Sequence, residues 1–425
     1  MRNSICILMF MISVTLYSQE PDSIEAKQFY DLKQEVDSLQ KAIKLMDDEL
    51  QDIRQRTDKG KSEVDDLMEI FRGQDVETAD FETRSRYKRV DALLQAISQQ
   101  PGRLAFNGSV TAIMQLAEQQ SNWESFASGS FDIFATTSFG KGTLLFVDLE
   151  AIGGDGPDQQ HTTFSGLNED AGSTQSPDSI DRVNILEAWG EFKLFKEIIT
   201  ITAGKIDLTN YFDNNASAND ETMQFISGSF VNNSSFAVPS NAPGIRLRTT
   251  FLKRYHIQFG LSSQENKGAD IFNELYKIAS LGWTFAPESD FEANIRFYGY
   301  QVPHADNSYG WGISFDEQLF GKYNVFGRYG QNQDSVSGFW GIGSSWSAGL
   351  RFVQSIGKQE LVIGAAYGEN NPYDPDRTIE QLVEVYLRQQ INDWVHISPN
   401  FQYVWNGGGM NQRLTLVGLS SQFNF

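Results

Sequence analysis

The sequence has four histidines, His161, His256, His304 and His396, and they are scattered along the chain. None falls in a metal-ligand spacing, and no G-x-S-x-G elbow is present, so metal-assisted or nucleophilic hydrolysis has no constellation to run on. The only cysteine, Cys6, lies in the extreme N-terminal segment, which leaves no thiol chemistry for the rest of the chain. Asp155, Asp158, Glu169, Asp170, Asp178 and Asp181 make an acidic run. It lacks the ordered pattern of a calcium loop and reads as a solvated loop. What remains is recognition rather than reaction, with no cofactor and no catalytic residue expected. Asp207, Asn210, Asp213, Asn214, Asn215, Asn219, Asp220 and Glu221 crowd one stretch, 207–243, and offer donors and acceptors to a hydroxyl-rich solute. Asp213 and Asn214 suit turn formation and anchoring to a wall equally well.

Two apolar alternating segments flank this stretch, and the same period of two continues from residue 101 to the end. Sixteen such segments can be marked: 103–116, 126–138, 142–152, 180–194, 197–206, 244–252, 255–263, 276–285, 290–301, 309–319, 322–330, 340–355, 359–368, 379–391, 394–405 and 411–425. Tight turns (139–141, 195–196, 253–254, 286–289, 320–321, 356–358, 392–393) alternate with longer connections (153–179, 207–243, 264–275, 331–339, 369–378). Short turns on one side and long loops on the other are how an outer-membrane barrel is built. The expected fold is therefore all-β: a 16-stranded antiparallel up-and-down transmembrane barrel in which 207–243 is the third external loop, folded into the lumen. Strand phase puts Arg246, Arg248, Arg296, Arg328, Arg351 and Arg388 on the lumen side, with Glu187, Glu191, Glu292 and Glu384. Charges of both signs orient neutral polyols without trapping either ion. Trp189 sits between two of the glutamates and could offer a flat face to a sugar ring. The chain ends on Val417, Leu419, Phe423 and Phe425, an aromatic terminus of the kind barrel-insertion machinery reads.

Residues 1–18 carry Arg2, an apolar stretch and a small residue before Gln19, the pattern of a cleaved secretory signal. From Phe29 the apolar residues Leu32, Val36, Leu39, Ile43, Met46, Leu50 and Ile53 step by three and four, and the frame resumes at Val64, Leu67 and Phe71. A strict seven-residue repeat of this length keeps its seam only in a left-handed coiled coil, so 19–100 reads as a periplasmic stalk. Its mixed seam does not choose between two and three strands; either it only joins protomers, or it also reaches the peptidoglycan. No apolar run after residue 20 approaches the roughly 18 residues of a spanning helix, which excludes a helical membrane protein and leaves a barrel in outer-membrane lipid open. A net charge of −21 argues against nucleic acid as a partner.

The string AGKIDLTNYFDNNASANDETMQFISGSFVNNSSF, followed by PSNAPG, resembles the carbohydrate-selective porin family of the OprB type, as does the ending ISPNFQYVWNGGG with its last strand. The resemblance covers about 101–425 and implies passive diffusion of sugars or similar small solutes through a homotrimer of barrels. The chain departs from the family in its long coiled coil and in Gly407, where the penultimate turn has a proline. A general or anion-preferring porin, and an envelope tether gripping the cell wall, are the competing readings.

Overall fold

The computed structural model describes residues 104–139, 142–172, 182–195, 198–252, 254–265, 274–287, 289, 291–357, 359–392 and 394–425. The expected signal segment and coiled-coil stalk lie outside them. Sixteen strands form one closed barrel in which every strand pairs with its neighbours in sequence. They are β1 (Leu104–Gln119), β2 (Asn122–Ser138), β3 (Thr143–Asp155), β4 (Arg182–Leu194), β5 (Ile199–Ile206), β6 (Ala242–Phe251), β7 (Tyr255–Ser263) and β8 (Leu275–Phe285). The second half comprises β9 (Ala293–Val302), β10 (Ser308–Leu319), β11 (Tyr323–Asn332), β12 (Ile342–Ile356), β13 (Gln359–Pro372), β14 (Glu380–Asn392), β15 (Val395–Trp405) and β16 (Arg413–Asn424). Closure runs from Ser109 opposite Asn424 to Glu118 opposite Thr415, and Gly108 and Phe425 exchange both backbone hydrogen bonds. Closing the sheet removes the edges that a long apolar sheet could not leave open in lipid.

Alternation decides the two faces. In β15 His396, Asn400, Gln402 and Val404 are buried toward the lumen while Phe401 is exposed on the outside. The outer surface is lined by residues such as Leu145, Leu247, Phe259, Leu281, Phe297, Leu350 and Val417. Aromatic side chains mark both rims, Phe139, Phe195, Phe251, Phe320 and Trp394 at the short turns and Trp123, Tyr309, Trp340 and Tyr373 at the other end. Such girdles sit at the two water–lipid interfaces. No helix among the described residues is long and apolar enough to cross a membrane.

Three local features adjust the strand pattern. The β1–β2 connection is only Gln120 and Ser121, both at positive φ (53° and 69°), so these strands run further than the spacing predicts and this outer connection is a tight hairpin. In β4 the pairing jumps from Asp148 opposite Glu187 to Leu149 opposite Ile185. The extra residue, Leu186, is a bulge that flips the phase. Hence Val183 and Ile185 face outward while Glu187, Trp189 and Glu191, also odd-numbered, are buried inward. Gly312 in β10 leaves room for the buried Tyr298 of β9 to lie across it; a Cβ there would collide with the Tyr298 ring.

Candidate functional site

The connection between β5 and β6, residues 207–241, folds into the lumen because both of its faces have partners there. At its start Leu208, Tyr211 and Phe212 are buried against the wall, with Phe212 over Gly260. Further along, Phe236 packs on Tyr298 and Tyr300 at ring distances of 4.8 and 5.2 Å. Phe225 packs on Tyr386 and Phe326 at 5.0 and 5.7 Å. The loop thus spans from the β8–β9 side to the β11–β14 side, with two one-turn helices, α1 (Thr209–Phe212) and α2 (Gly228–Val231).

A buried main chain needs its polar groups satisfied, and the wall supplies the partners. Arg328 pairs with Asp213 at 3.0 Å, both side chains fully buried. It also donates to the carbonyls of Phe230, Asp213 and Ala218 at 2.6, 3.1 and 2.6 Å. Arg351 donates to the Ala216 carbonyl (3.2 Å) and Arg388 to that of Met223 (3.0 Å). Glu384 accepts the N–H groups of Ile226 and Ser227 at 2.8 and 3.0 Å. Asp213 further accepts from Tyr298 Oη (3.0 Å) and the Asn233 N–H (2.7 Å). Burial raises the Asp213 carboxyl, and Arg328 and these donors oppose the shift.

A second inserted loop follows β3. The Asp158 carboxylate accepts the N–H groups of Leu167 and Asn168, and Glu380 accepts from Phe164 N–H and Ser165. Gln115 and Gln402 donate to the Leu167 carbonyl. The loop then pairs with the first one: Gly228 N–H to Gly166 O, Ser229 N–H to Ser165 O, and Glu169 N–H to Ile226 O, at 3.0, 2.8 and 3.0 Å. The acidic run is therefore not the solvated loop that composition suggests. Asp170 is buried and accepts from Ser130 at 2.8 Å, and burial raises the Asp158 carboxyl. Asp155 is exposed, and Asp178 and Asp181 lie outside the described residues. No group of three metal-ligating side chains occurs among the described residues.

The expected site residues fall into three groups. Asp213 and Arg328 hold the loop in place, as do Asn215, bonded to Ser314 and the Phe315 carbonyl, and Asp220, which accepts from Thr222 and Met223. Asp207, Asn210, Asn219 and Glu221 form the loop's polar edge. Asn210 donates to Glu187 (3.3 Å) and Asp207 (3.1 Å), and Asn219 donates to Asn210 (3.4 Å). Asn214 is buried beside them, and its carbonyl accepts from Ser314. The third group is on the wall. Glu191 lies 3.9 Å from Arg246, which bonds Gln258 and Thr202 and stacks its guanidinium 4.0 Å over Tyr211. Arg248 donates to His256 Nδ1 (3.1 Å), and Arg296 pairs with Asp316 at 2.7 Å. Trp189 differs from expectation: it stands opposite Phe146 in the register, stacks on it at 4.9 Å, donates to Glu187 and is 7% exposed. Its neighbour in the next strand covers the face that a sugar would need.

Sequence reasoning missed Tyr300, which donates to the Ser235 carbonyl at 2.8 Å, and Glu380, because the loop residues they hold, Ser235 and Ser165, lie 65 and 215 residues away. The signal for the tyrosines was the run Tyr298-Gly299-Tyr300 facing Gly310 and Gly312 across the β9–β10 pair.

A closed sixteen-stranded barrel with lipid-facing apolar residues and an anchored loop across its lumen is a porin-type outer-membrane channel. The family model of the carbohydrate-selective porin, OprB family, matches residues 136–297 and 282–425, and the chain belongs to that family. It passes carbohydrates or similar small hydrophilic solutes passively and selectively. Among solved structures, Pseudomonas putida OprB at high pH superimposes with a TM-score of 0.61 at 13% identity, over 76% of this chain and 94% of that one. The low-pH structure of the same porin gives 0.52 at 12% identity, over 81% and 98%. An uncharacterized protein of Aquifex aeolicus (strain VF5) is 24% identical over 276 residues, covering 65% of this chain and 79% of the relative.

Proposed function

We propose that the solute-selecting surface of this channel is the polar edge of the loop, where the half-buried Asp207, Asn210 and Glu221 are backed by the buried Asn219, Glu187, Glu191 and Arg246, with Arg248 and Arg296 lining the remainder of the passage. The observation that carries this reading is the chain of contacts from Asn219 to Asn210 to Glu187 and Asp207, which joins loop and wall at one level of the lumen. Asparagine amides and carboxylates set side by side match the alternating donors and acceptors of a polyol. The buried loop face, including Asp213, Asn215 and Arg328, acts by positioning that edge. Liposome swelling over a panel of neutral sugars, combined with single-channel block by the same sugars, tests the assignment: Asn210→Ala should weaken sugar block with little change in ion conductance. Strong anion selectivity without sugar block would favour a general porin instead. We further infer a trimer of barrels with a periplasmic coiled-coil stalk, residues 19–100, whose heptad seam supports association. Chemical cross-linking of the full chain before and after deletion of the stalk tests that part.

A further inference from the structure

Four of the inward arginines gather on the β9–β14 arc of this lumen, where the buried Asp316, Glu360, Glu380 and Glu384 stand among them. Arg328, Arg351 and Arg388 turn toward the loop and donate to its carbonyls. Arg296 is paired with Asp316, and Arg248 donates to His256. On the other arc carboxylates accumulate. Asp132 stands opposite Glu150 across β2 and β3, and Asp148 opposite Glu187 across β3 and β4, all four buried inward. Glu187 accepts from the Asp207 N–H at 3.3 Å, which joins this arc to the loop edge. Asp170 joins it to the second loop through Ser130. Among the described residues the cations here are Lys205, which donates to the Ile185 carbonyl, and Lys193, 4.0 Å from Glu191, with Arg246 of β6 at 3.9 Å from the same carboxylate. A second observation lies at the same place. Asn219 is 4% exposed, and its Oδ1 has no hydrogen-bond partner among the described residues, an acceptor kept beside the carboxylates.

We propose that the wall of β2–β4 and the two inserted loops beside it form a carboxylate girdle, completed by Glu169 at the contact between the loops, that favours neutral and amino-bearing saccharides and excludes acidic or phosphorylated ones. Amino sugars add a cation to the hydroxyl pattern that the loop edge recognises, so the saccharide part of the inference rests on the sugar-channel reading above, whereas the charge preference does not.

Glu169 is placed for this role by the contact between the two loops. Its N–H is tied to Ile226, and its carboxylate lies against Gly166 and Gly228, where a Cβ on Gly228 would collide with it. Its side chain has no hydrogen bond or ion pair among the described residues. Glu221 and Asp207 face it from the first loop and Asp158 from its own, with burial the larger effect, and together they push its carboxyl up to about 7. Glu169 is therefore protonated in mild acid, and the girdle gains a negative charge as the pH rises through about 7. The sign for the loop pair is the opposite: a raised carboxyl is easiest to bury when protonated, so the contact is firmest at low pH and loosens as pH rises toward 7.

Reversal potentials of the full-length protein in planar bilayers under a KCl gradient test the girdle. The expected result is cation preference, with the K+/Cl− permeability ratio rising about threefold from about pH 6 to about pH 8, and Glu169→Gln flattening that rise. Anion preference at the higher pH, or an unchanged pH profile in E169Q, overturns the proposal. Should E169Q fail to assemble, Glu221→Gln serves instead: it removes the charge that faces Glu169 from the other loop and should lower the cation preference and move the rise to lower pH. Liposome swelling with glucosamine, glucose and glucose 6-phosphate reads the solute class. Faster entry of glucose 6-phosphate than of glucosamine sinks the girdle. Exclusion of all three sugars with cation preference intact would overturn the sugar reading and leave the charge filter standing.

Discussion

Arg328 makes four separate contacts with one loop, the carboxylate of Asp213 and three carbonyls, and it does so with its side chain wholly buried. Lysine keeps the charge but cannot fan out to four acceptors, so Arg328→Lys is not conservative here. Removing one partner of a buried ion pair leaves the other uncompensated and costs about 3–5 kcal/mol. In Arg328→Ala that cost falls on the seating of the loop. The expected result is a larger and noisier single-channel current, with new protease cleavage inside 207–241; a quiet, unchanged current would show that the apolar contacts hold the loop alone. Arg248 is different, being half-buried near the short-turn end of the barrel and bonded to His256. Arg248→Ala should leave assembly intact and raise the K+/Cl− permeability ratio about twofold, read from the reversal potential.

At the scale of elements, the inserted loop and the wall are mutually shaped. Phe225, Phe230 and Phe236 supply the loop's apolar face, while Tyr298, Tyr300, Phe326 and Tyr386 supply the wall's. Replacing 207–241 by a short turn should raise ion conductance severalfold and abolish sugar block, measured in the same bilayer; conductance that stays the same would place the narrowest point in the second loop. The wall depends in turn on small residues in neighbouring strands. Gly312→Val sets a branched side chain against the Tyr298 ring, and overpacking of this kind costs about 1–3 kcal/mol. Its assembled form should lose its compact migration on gels at a lower temperature than the parent.

For the molecule as a whole, closure of the first strand on the last is the condition for stability in lipid. Phe425 shares both backbone hydrogen bonds with Gly108, and its ring stacks on Phe131 at 6.1 Å. Deleting Phe425 should sharply lower the amount of barrel recovered in the outer membrane, while leaving the conductance per channel unchanged. Outside the described residues, removal of 20–100 should reduce oligomer recovery without altering sugar block if the stalk acts only in association. A loss of cell-wall attachment in that variant would give it a tethering role as well.

The sequence by itself determined the barrel, its strand number and the identity of the inserted loop, because a strand between lipid and water must alternate and every spanning pair must end in a turn. The inward phase of the six arginines followed from the same period. Only the tertiary structure decided what those inward groups do. Arg328, Arg351 and Arg388 hold loop carbonyls more than 90 residues away, Trp189 is stacked under Phe146 of the adjacent strand, and the acidic loop after β3 is tucked against the first loop rather than solvated. Period and spacing report which side of a sheet a residue faces. They carry no record of which distant segment has folded in to meet it, and in this barrel that second fact separates a group that holds the loop from one that meets the solute.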